Sequence, residues 1–466
     1  MNSALYPQVR WRWSIPVLLG AWAAAVAVAP SLSLKLLLAV PAVLLPVSFW
    51  TLETPGRWIP CFFAAALLLP PLPFAWGDSG PHPSLWFAGL GLLAGLLGLP
   101  RWRVRVTGLN AALGTLLVVL LASVAPAAID SGAAIAAASL ARVGLLAIAV
   151  YIFFYTAQGP APASPPFPAI RRLYWIAAAS ALFACIDFYF QFPAPAGYGP
   201  QFVWLDTAIV RRAQGVFYEA STLGNFCAFF LVMIAVCWSR PREQAPVSRK
   251  ALLAGGAVFF TALVLSYSRA SLVNVAVAGA VLGWRSRRRF SMVKLVLMAA
   301  ACAAAGALLT WALFPALAEA YWLRLSASAT YLFSSTEGVL SGRVASWRTL
   351  VDWMGAHPWQ TLWGIGYKTL PYSDHLGAPL VADNMYLSLL VETGVAGLGA
   401  LLWLNGAILR AAWRASRSTA IETSFCGTWM LCFWAGQTVQ MLSGDLLTYW
   451  RVLPVYFWVL ALAVRA

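Results

Sequence analysis

Residues 107–128, TGLNAALGTLLVVLLASVAPAA, contain no charged side chain. A helix of that length rises roughly 33 Å at about 1.5 Å per residue, enough to cross roughly 30 Å of hydrocarbon. Runs of the same kind recur near residues 14–30, 33–50, 58–76, 84–99, 134–156, 173–191, 223–239, 250–267, 270–283, 293–314, 384–409, 424–443 and 451–465. With 61% hydrophobic residues, 10% charged residues and a mean hydropathy of +0.77, the chain has too little polar surface to stay in water as two or three soluble domains. The pattern predicts an all-α, polytopic integral membrane protein with about 12–14 transmembrane helices.

The net charge of +16 is gathered at alternate loops. The clusters are Arg10/Arg12, Arg57, Arg101/Arg103/Arg105, Arg171/Arg172, Arg240/Arg242/Arg249/Lys250, Arg285/Arg287/Arg288/Arg289/Lys294 and Arg410/Arg414/Arg417. That is how membrane orientation is encoded, so no nucleic-acid partner is expected. The basic loops are assigned to the cytoplasm of a bacterial inner membrane, with both termini on that side. The loops carrying Asp78, Asp130, Asp206, Glu219, Glu319, Glu337, Asp352, Asp374 and Asp383 then face the periplasm. A cleavable signal peptide is the other reading of the first span; the later segments keep their own charge bias either way.

Four parts follow along the chain: residues 1–191 as a scaffold of helices, 192–314 as helices with arginine-bearing periplasmic ends, 315–383 as a long periplasmic loop containing short helices, and 384–466 as C-terminal helices. Segments 158–168 and 240–249 read as linkers. Arg142 lies inside a span, where an arginine costs about 2.5–3.5 kcal/mol unless it snorkels or finds a partner; Asp187 is one candidate and backbone carbonyls are another. In the long loop, Ser341 reads as the cap of a helix with an apolar stripe of Val344, Trp347, Val351 and Met354. The spacing suits a helix lying on the outer membrane face, ended by Gly355 and Pro358.

Arg211/Arg212, Arg269 and Arg343 stand on the exterior side, against the prevailing bias. Guanidinium groups bind phosphate bidentately and keep their charge, so several at one depth make a site for a phosphate or diphosphate head group. Each could instead pair with a carboxylate such as Asp206, or with ordinary phospholipid. Asp383, Asn384 and Glu392 flank the helix that re-enters the membrane. Asp383 fits either a helix cap or a general base taking the proton of an attacking sugar hydroxyl, with Glu219 as the rival base. Burial raises such a carboxyl's proton affinity and neighbouring arginines lower it. His82, His357 and His375 are scattered, and Cys61, Cys185, Cys227, Cys237, Cys302, Cys426 and Cys432 lie in or beside apolar runs without ligand spacing. No metal and no cofactor is expected. Gly364-Ile-Gly366 lacks the strand and third glycine of a nucleotide loop and reads as a tight turn.

The ordered series Arg212-Ala-Gln-Gly-Val-Phe with Glu219, Ser268-Arg-Ala270, Ser341-Gly-Arg343 with Trp347, Gly364-Ile-Gly366, Asp383-Asn-Met-Tyr-Leu and Glu392-Thr-Gly394 resembles the O-antigen ligase and polymerase superfamily over about residues 205–410. The resemblance implies a metal-independent membrane glycosyltransferase using an undecaprenyl-diphosphate-linked oligosaccharide donor at the periplasmic face. By that likeness Arg212 and Arg269 hold the diphosphate, Asp383 serves as base, and Arg211, Glu219, Arg343, Asn384 and Tyr386 line the substrate site. Many ligases of the superfamily carry a histidine where this chain has Asp383. Glu219-Ala-Ser221 and Asp383-Asn-Met-Tyr-Leu look more like its O-antigen and exopolysaccharide polymerases. Polymerase is therefore the reading. Ligation to lipid A core or to a protein is the alternative acceptor choice, and a flippase or chain-length regulator is an expected partner beside membrane lipids and the glycan acceptor. A secondary transporter is the reading from another class; the sequence lacks the two matching halves with broken or charged mid-membrane helices that it calls for.

Overall fold

The computed structural model describes residues 11–72, 80–160, 165–195, 197–204, 209–285, 343–373, 377 and 379–465, with scattered positions between 308 and 326. The helices along these residues are α1 (Trp11–Val28), α2 (Leu32–Glu53), α3 (Trp58–Leu68), α4 (Ser84–Leu97), α5 (Gly108–Ala122), α6 (Val124–Asp130), α7 (Ala133–Gln158) and α8 (Pro166–Phe190). They continue with α9 (Ala220–Trp238), α10 (Arg249–Leu265), α11 (Arg269–Arg285), α12 (Arg343–Ala356), α13 (Pro358–Trp363), α14 (Met385–Ser416), α15 (Ile421–Gln440) and α16 (Leu453–Val464). Among the described residues, five stretches are long and apolar enough to cross a membrane: Gly108–Asp130, α7, α8, α9 and α14. The architecture is all-α and polytopic. Of the run expected over 58–76, α3 covers the first part and ends at Leu68, with 73–76 outside the described residues; of the run at 293–314 only scattered positions are described, and Cys302 and the expected cap Ser341 are not among them.

Helix ends are set where the sequence offers an oxygen to the free N–H groups of a first turn. Thr107 accepts from the Asn110 N–H at 3.2 Å ahead of α5, and Ser248 accepts from Ala251 ahead of α10. The centre of the bundle is α9, which packs against α10, α11 and α15; α15 in turn meets α14 and α16. Phe229 of α9 sits among Trp429, Phe433 and Tyr456, with ring centroids 4.3, 4.8 and 4.5 Å away. Outer helices turn apolar side chains outward, among them Leu96 and Leu97 of α4, Val118 of α5 and Leu182 of α8. In water that surface is a liability; facing acyl chains it is matched.

A polar cluster runs through this apolar centre. Asn225 of α9 donates to the Gln437 and Gln440 side-chain oxygens at 2.6 and 2.8 Å. Asn274 of α11 donates to the same two at 3.2 and 2.9 Å, Gln440 donates to Ser271, and the Tyr456 hydroxyl donates to Asn225 at 2.6 Å. Four helices are thereby bonded to one another where no water reaches.

At one end the chain leaves the bundle. An antiparallel hairpin pairs β1 (Phe202–Trp204) with β2 (Ile209–Arg211), Phe202 opposite Arg211. Further on, α12 packs on the re-entry segment through Leu350, which meets Ile365, Leu370, Ala382 and Val391, with Trp353 and Met354 beside it. The expected stripe is thus rotated. Val351 is exposed, because Leu350 and Trp353 present an equally apolar face one residue earlier in each turn. α14 breaks at Gly394 (φ 69°), where a Cβ would collide with the Leu362 carbonyl; Gly364 (φ 83°) approaches the Glu392 carbonyl in the same way. Across this gap Ile365 and Gly366 donate to the carbonyls of Val391 and Glu392 at 3.1 and 2.8 Å. Gly364-Ile-Gly366 is therefore a turn, pinned against the break in α14.

Candidate functional site

Arg212 follows β2 directly. Its amide donates to the Gln201 carbonyl at 2.8 Å and its Nε to the Ser266 carbonyl at 2.9 Å, while Ala213 donates to Leu265 at 2.8 Å. The hairpin is so fastened to the hinge between α10 and α11, and Arg269 opens α11 three residues beyond Ser266. Tyr267 in that hinge holds φ 51°, a left-handed backbone uncommon for a residue with a side chain. Arg343, first residue of α12, lies within Coulombic reach of both Arg212 and Arg269. Its Nε meets Asp383 Oδ2 at 3.0 Å, and one turn on Trp347 Nε1 donates to the Ala382 carbonyl at 2.8 Å. The loop helix and the start of α14 are thereby closed onto the arginine hinge.

Asp383 itself is left-handed at φ 46°. It does not cap α14; Asn384 does, its Oδ1 accepting from Tyr386 and Leu387 at 3.1 and 3.2 Å. Asn384 is buried, and the Tyr386 hydroxyl is anchored on the Thr438 carbonyl at 2.8 Å. Both hold the helix start that presents Asp383. Glu219 precedes α9 with no side-chain capping bond to it, and the Ala220 N–H goes to the Gln201 side chain at 2.9 Å. Its Oε2 accepts from Thr222 at 2.6 Å. Burial pushes the Glu219 carboxyl above the ordinary carboxylate range, against the pull of Thr222 and Arg212. Burial likewise lowers the proton affinity of Arg212, which Tyr449, Glu219 and Asp383 partly restore and Arg343 opposes.

Arg211, the residue just before Arg212, faces instead Asp187 near the end of α8, 3.8 Å away. Asp187 therefore serves Arg211, and Arg142 lies with its guanidinium over the Tyr372 ring at 4.4 Å, a cation–π arrangement. Asp206, Asp374 and His375 lie outside the described residues.

A cavity of about 330 Å³ opens beside Glu219, walled by Tyr218, Thr222, Tyr449, Trp450 and Arg451. Arg451 is only 4% exposed, with its guanidinium 5.6 Å over the Phe217 ring and 3.4 Å from His82 Nε2. His82 takes the Ser84 N–H on Nδ1 at 3.2 Å, so its Nε2 carries the proton and donates to the Leu69 carbonyl at 3.0 Å. Burial and Arg451 push its pKa down to about 3, so the ring is neutral. Lys368 pairs with Asp445 nearby; burial works against its charge, but Asp445, Glu392 and Tyr367 raise its pKa above the usual lysine value. Neither Arg451 nor Lys368 was among the expected site residues. The signal was available, since both are basic residues on loops that otherwise carry the carboxylates. Among the described residues no group of three or more His, Cys, Asp or Glu side chains is placed to hold a metal ion.

Three cationic side chains on separate elements, next to two carboxylates, form a site that can neutralise a polyanion and hold a proton acceptor beside it. No curated protein matches the chain. The family model described as O-antigen ligase matches residues 254–402. That stretch holds Arg269, Arg343, Asp383, Asn384 and Tyr386, while Arg211, Arg212 and Glu219 precede it. Residues 254–402 are thus similar to the O-antigen ligase family, and the chain that carries them is a multi-pass membrane protein.

Proposed function

We propose that this chain polymerises undecaprenyl-diphosphate-linked oligosaccharide repeats at the periplasmic face of the bacterial inner membrane, without a metal, both termini being cytoplasmic. The observation that carries the reading is Arg343, which meets Asp383 at 3.0 Å and lies within Coulombic reach of both Arg212 and Arg269, so that four separate segments of chain are joined through it. Arg212 and Arg269 bind the donor diphosphate. The acceptor sugar hydroxyl gives its proton to Asp383 as its oxygen bonds to the anomeric carbon. The bond from that carbon to the diphosphate oxygen breaks, and the electron pair leaves on undecaprenyl diphosphate, where the guanidinium groups stabilise the charge. Arg343 orients Asp383 by their 3.0 Å contact, Asn384 and Tyr386 fix the helix start, and Arg211 with Asp187 braces the hairpin.

Two observations favour variants of this reading. The desolvated Glu219 carboxyl, opening on the 330 Å³ cavity, supports Glu219 as the base. The matched family description supports ligation to lipid A core as the transfer. Purified protein in lipid, given an undecaprenyl-diphosphate-linked repeat unit with and without lipid A core, separates the acceptors. A glycan ladder from the donor alone is expected. Product that forms only with the added core makes the chain a ligase, and no product in either arm with the host's own donor turns the reading toward transport.

A further inference from the structure

At the other end of α14, roughly 40–45 Å along the helix from Asn384 at about 1.5 Å per residue, lies a second basic site. Arg410 and Arg414 stand four apart, on one face of the last turns of α14. Arg103 and Arg105 reach the same place from the strap between α4 and α5, and the four surround a cavity of about 650 Å³. The strap is fixed without its arginine side chains: Arg103 N–H donates to the Gln158 carbonyl at 3.0 Å, Gln158 Nε2 donates to the Arg105 carbonyl at 3.0 Å, and Trp102 Nε1 donates to the Gly95 carbonyl at 3.0 Å. All four side chains are exposed, and none has a carboxylate partner among the described residues. Trp403, Ala407 and Leu109 supply an apolar wall.

Orientation signals explain why arginines occur at this end of the bundle. They do not explain why two pairs, about three hundred residues apart in sequence, converge on one cavity. Four like charges around a cavity repel one another unless an anion is held between them. We propose that this cavity binds the phosphate head group of an anionic phospholipid, its acyl chains running along the apolar wall formed by α5 and α14, which pack together. The same guanidinium chemistry would take a free phosphate; the apolar wall favours the lipid.

The test is native mass spectrometry of the full chain in detergent with added phosphatidylglycerol, phosphatidylethanolamine or inorganic pyrophosphate. Wild type should retain phosphatidylglycerol over phosphatidylethanolamine, and R410Q/R414Q should lower that retention about tenfold or more. R103Q/R105Q, on a different element, should do the same and covers a folding failure in the first pair. R171Q/K250Q removes equal charge from exposed positions outside the cavity and should retain the lipid as wild type does. Equal retention by both cavity variants, or equal loss in R171Q/K250Q, overturns the proposal; displacement of the lipid by pyrophosphate overturns the lipid assignment.

Discussion

Glu219, Tyr267 and Asp383 share an unusual setting, each at or beside a backbone held left-handed: Tyr218 at φ 56°, Tyr267 at 51° and Asp383 at 46°. Such residues cost of order 1–3 kcal/mol each and persist where the surroundings fix them. Here the fixing contacts are the ones that aim Arg212, Arg269 and Asp383. Arg269→Ala should reduce glycan transfer by about 10²–10³-fold while the protein still inserts and purifies as wild type, measured as product per enzyme in lipid. Glu219 gives a pH dependence. Its folded pKa lies above the ordinary value of 4.5, so its contribution to stability is present below that value and is lost as the pH rises through the folded one. The melting temperature of Glu219→Gln should therefore gain on wild type as the pH is raised above 4.5; parallel curves would show that the carboxyl is not desolvated in the folded protein. Arg212, Arg269 and Arg343 were legible in sequence because their charge opposes the topological bias. Arg451 carries the same signal on the loop of Asp445, but it also heads an apolar run and so reads first as the flank of a span.

At the scale of elements, the break in α14 decides where the long loop docks. Gly394 and Gly364 let two backbones approach where a Cβ on either would collide with a carbonyl. Gly394→Ala should loosen α13 from α14, cost more than about 1 kcal/mol, and expose 357–373 to added protease, while α9 and α15 stay protected. Undiminished resistance would show that the break tolerates a side chain. Periodicity found α12 within two residues of its start and placed Val344, Trp347 and Met354 on the packed side, but took Val351 where Leu350 is the buried residue. Apolar residues at 344, 347, 350, 351, 353 and 354 satisfy more than one helical stripe, and only the partner Ile365, brought near by the turn at Gly364, selects among them. The hairpin escaped notice because three-residue strands are too short for alternation to register.

For the whole molecule, hydropathy was sufficient for the class, and most expected spans are helices within a few residues of their bounds. What it could not convey is which helix is central. α9 reads no differently from α5, yet it is buried on nearly all sides because its amide and aromatic side chains match those of α11, α15 and α16. Asn225→Leu should cost about 1–3 kcal/mol, read from denaturant titration in mixed micelles, by stripping the Tyr456 hydroxyl and one donor each from Gln437 and Gln440. An unchanged midpoint would mean that the remaining amides re-pair without it.

That same cluster bears on the energy stored across the bilayer. Asn225, Asn274, Gln437, Gln440, Ser271 and Tyr456 grip four helices with groups that neither gain nor lose a proton near neutral pH. A carboxylate or histidine in their place would offer a stepping stone for protons through the centre of the bundle. Amides give the helices the cohesion of polar contacts, so an open, charged site can sit on one face with no proton-carrying group in the cluster beneath it.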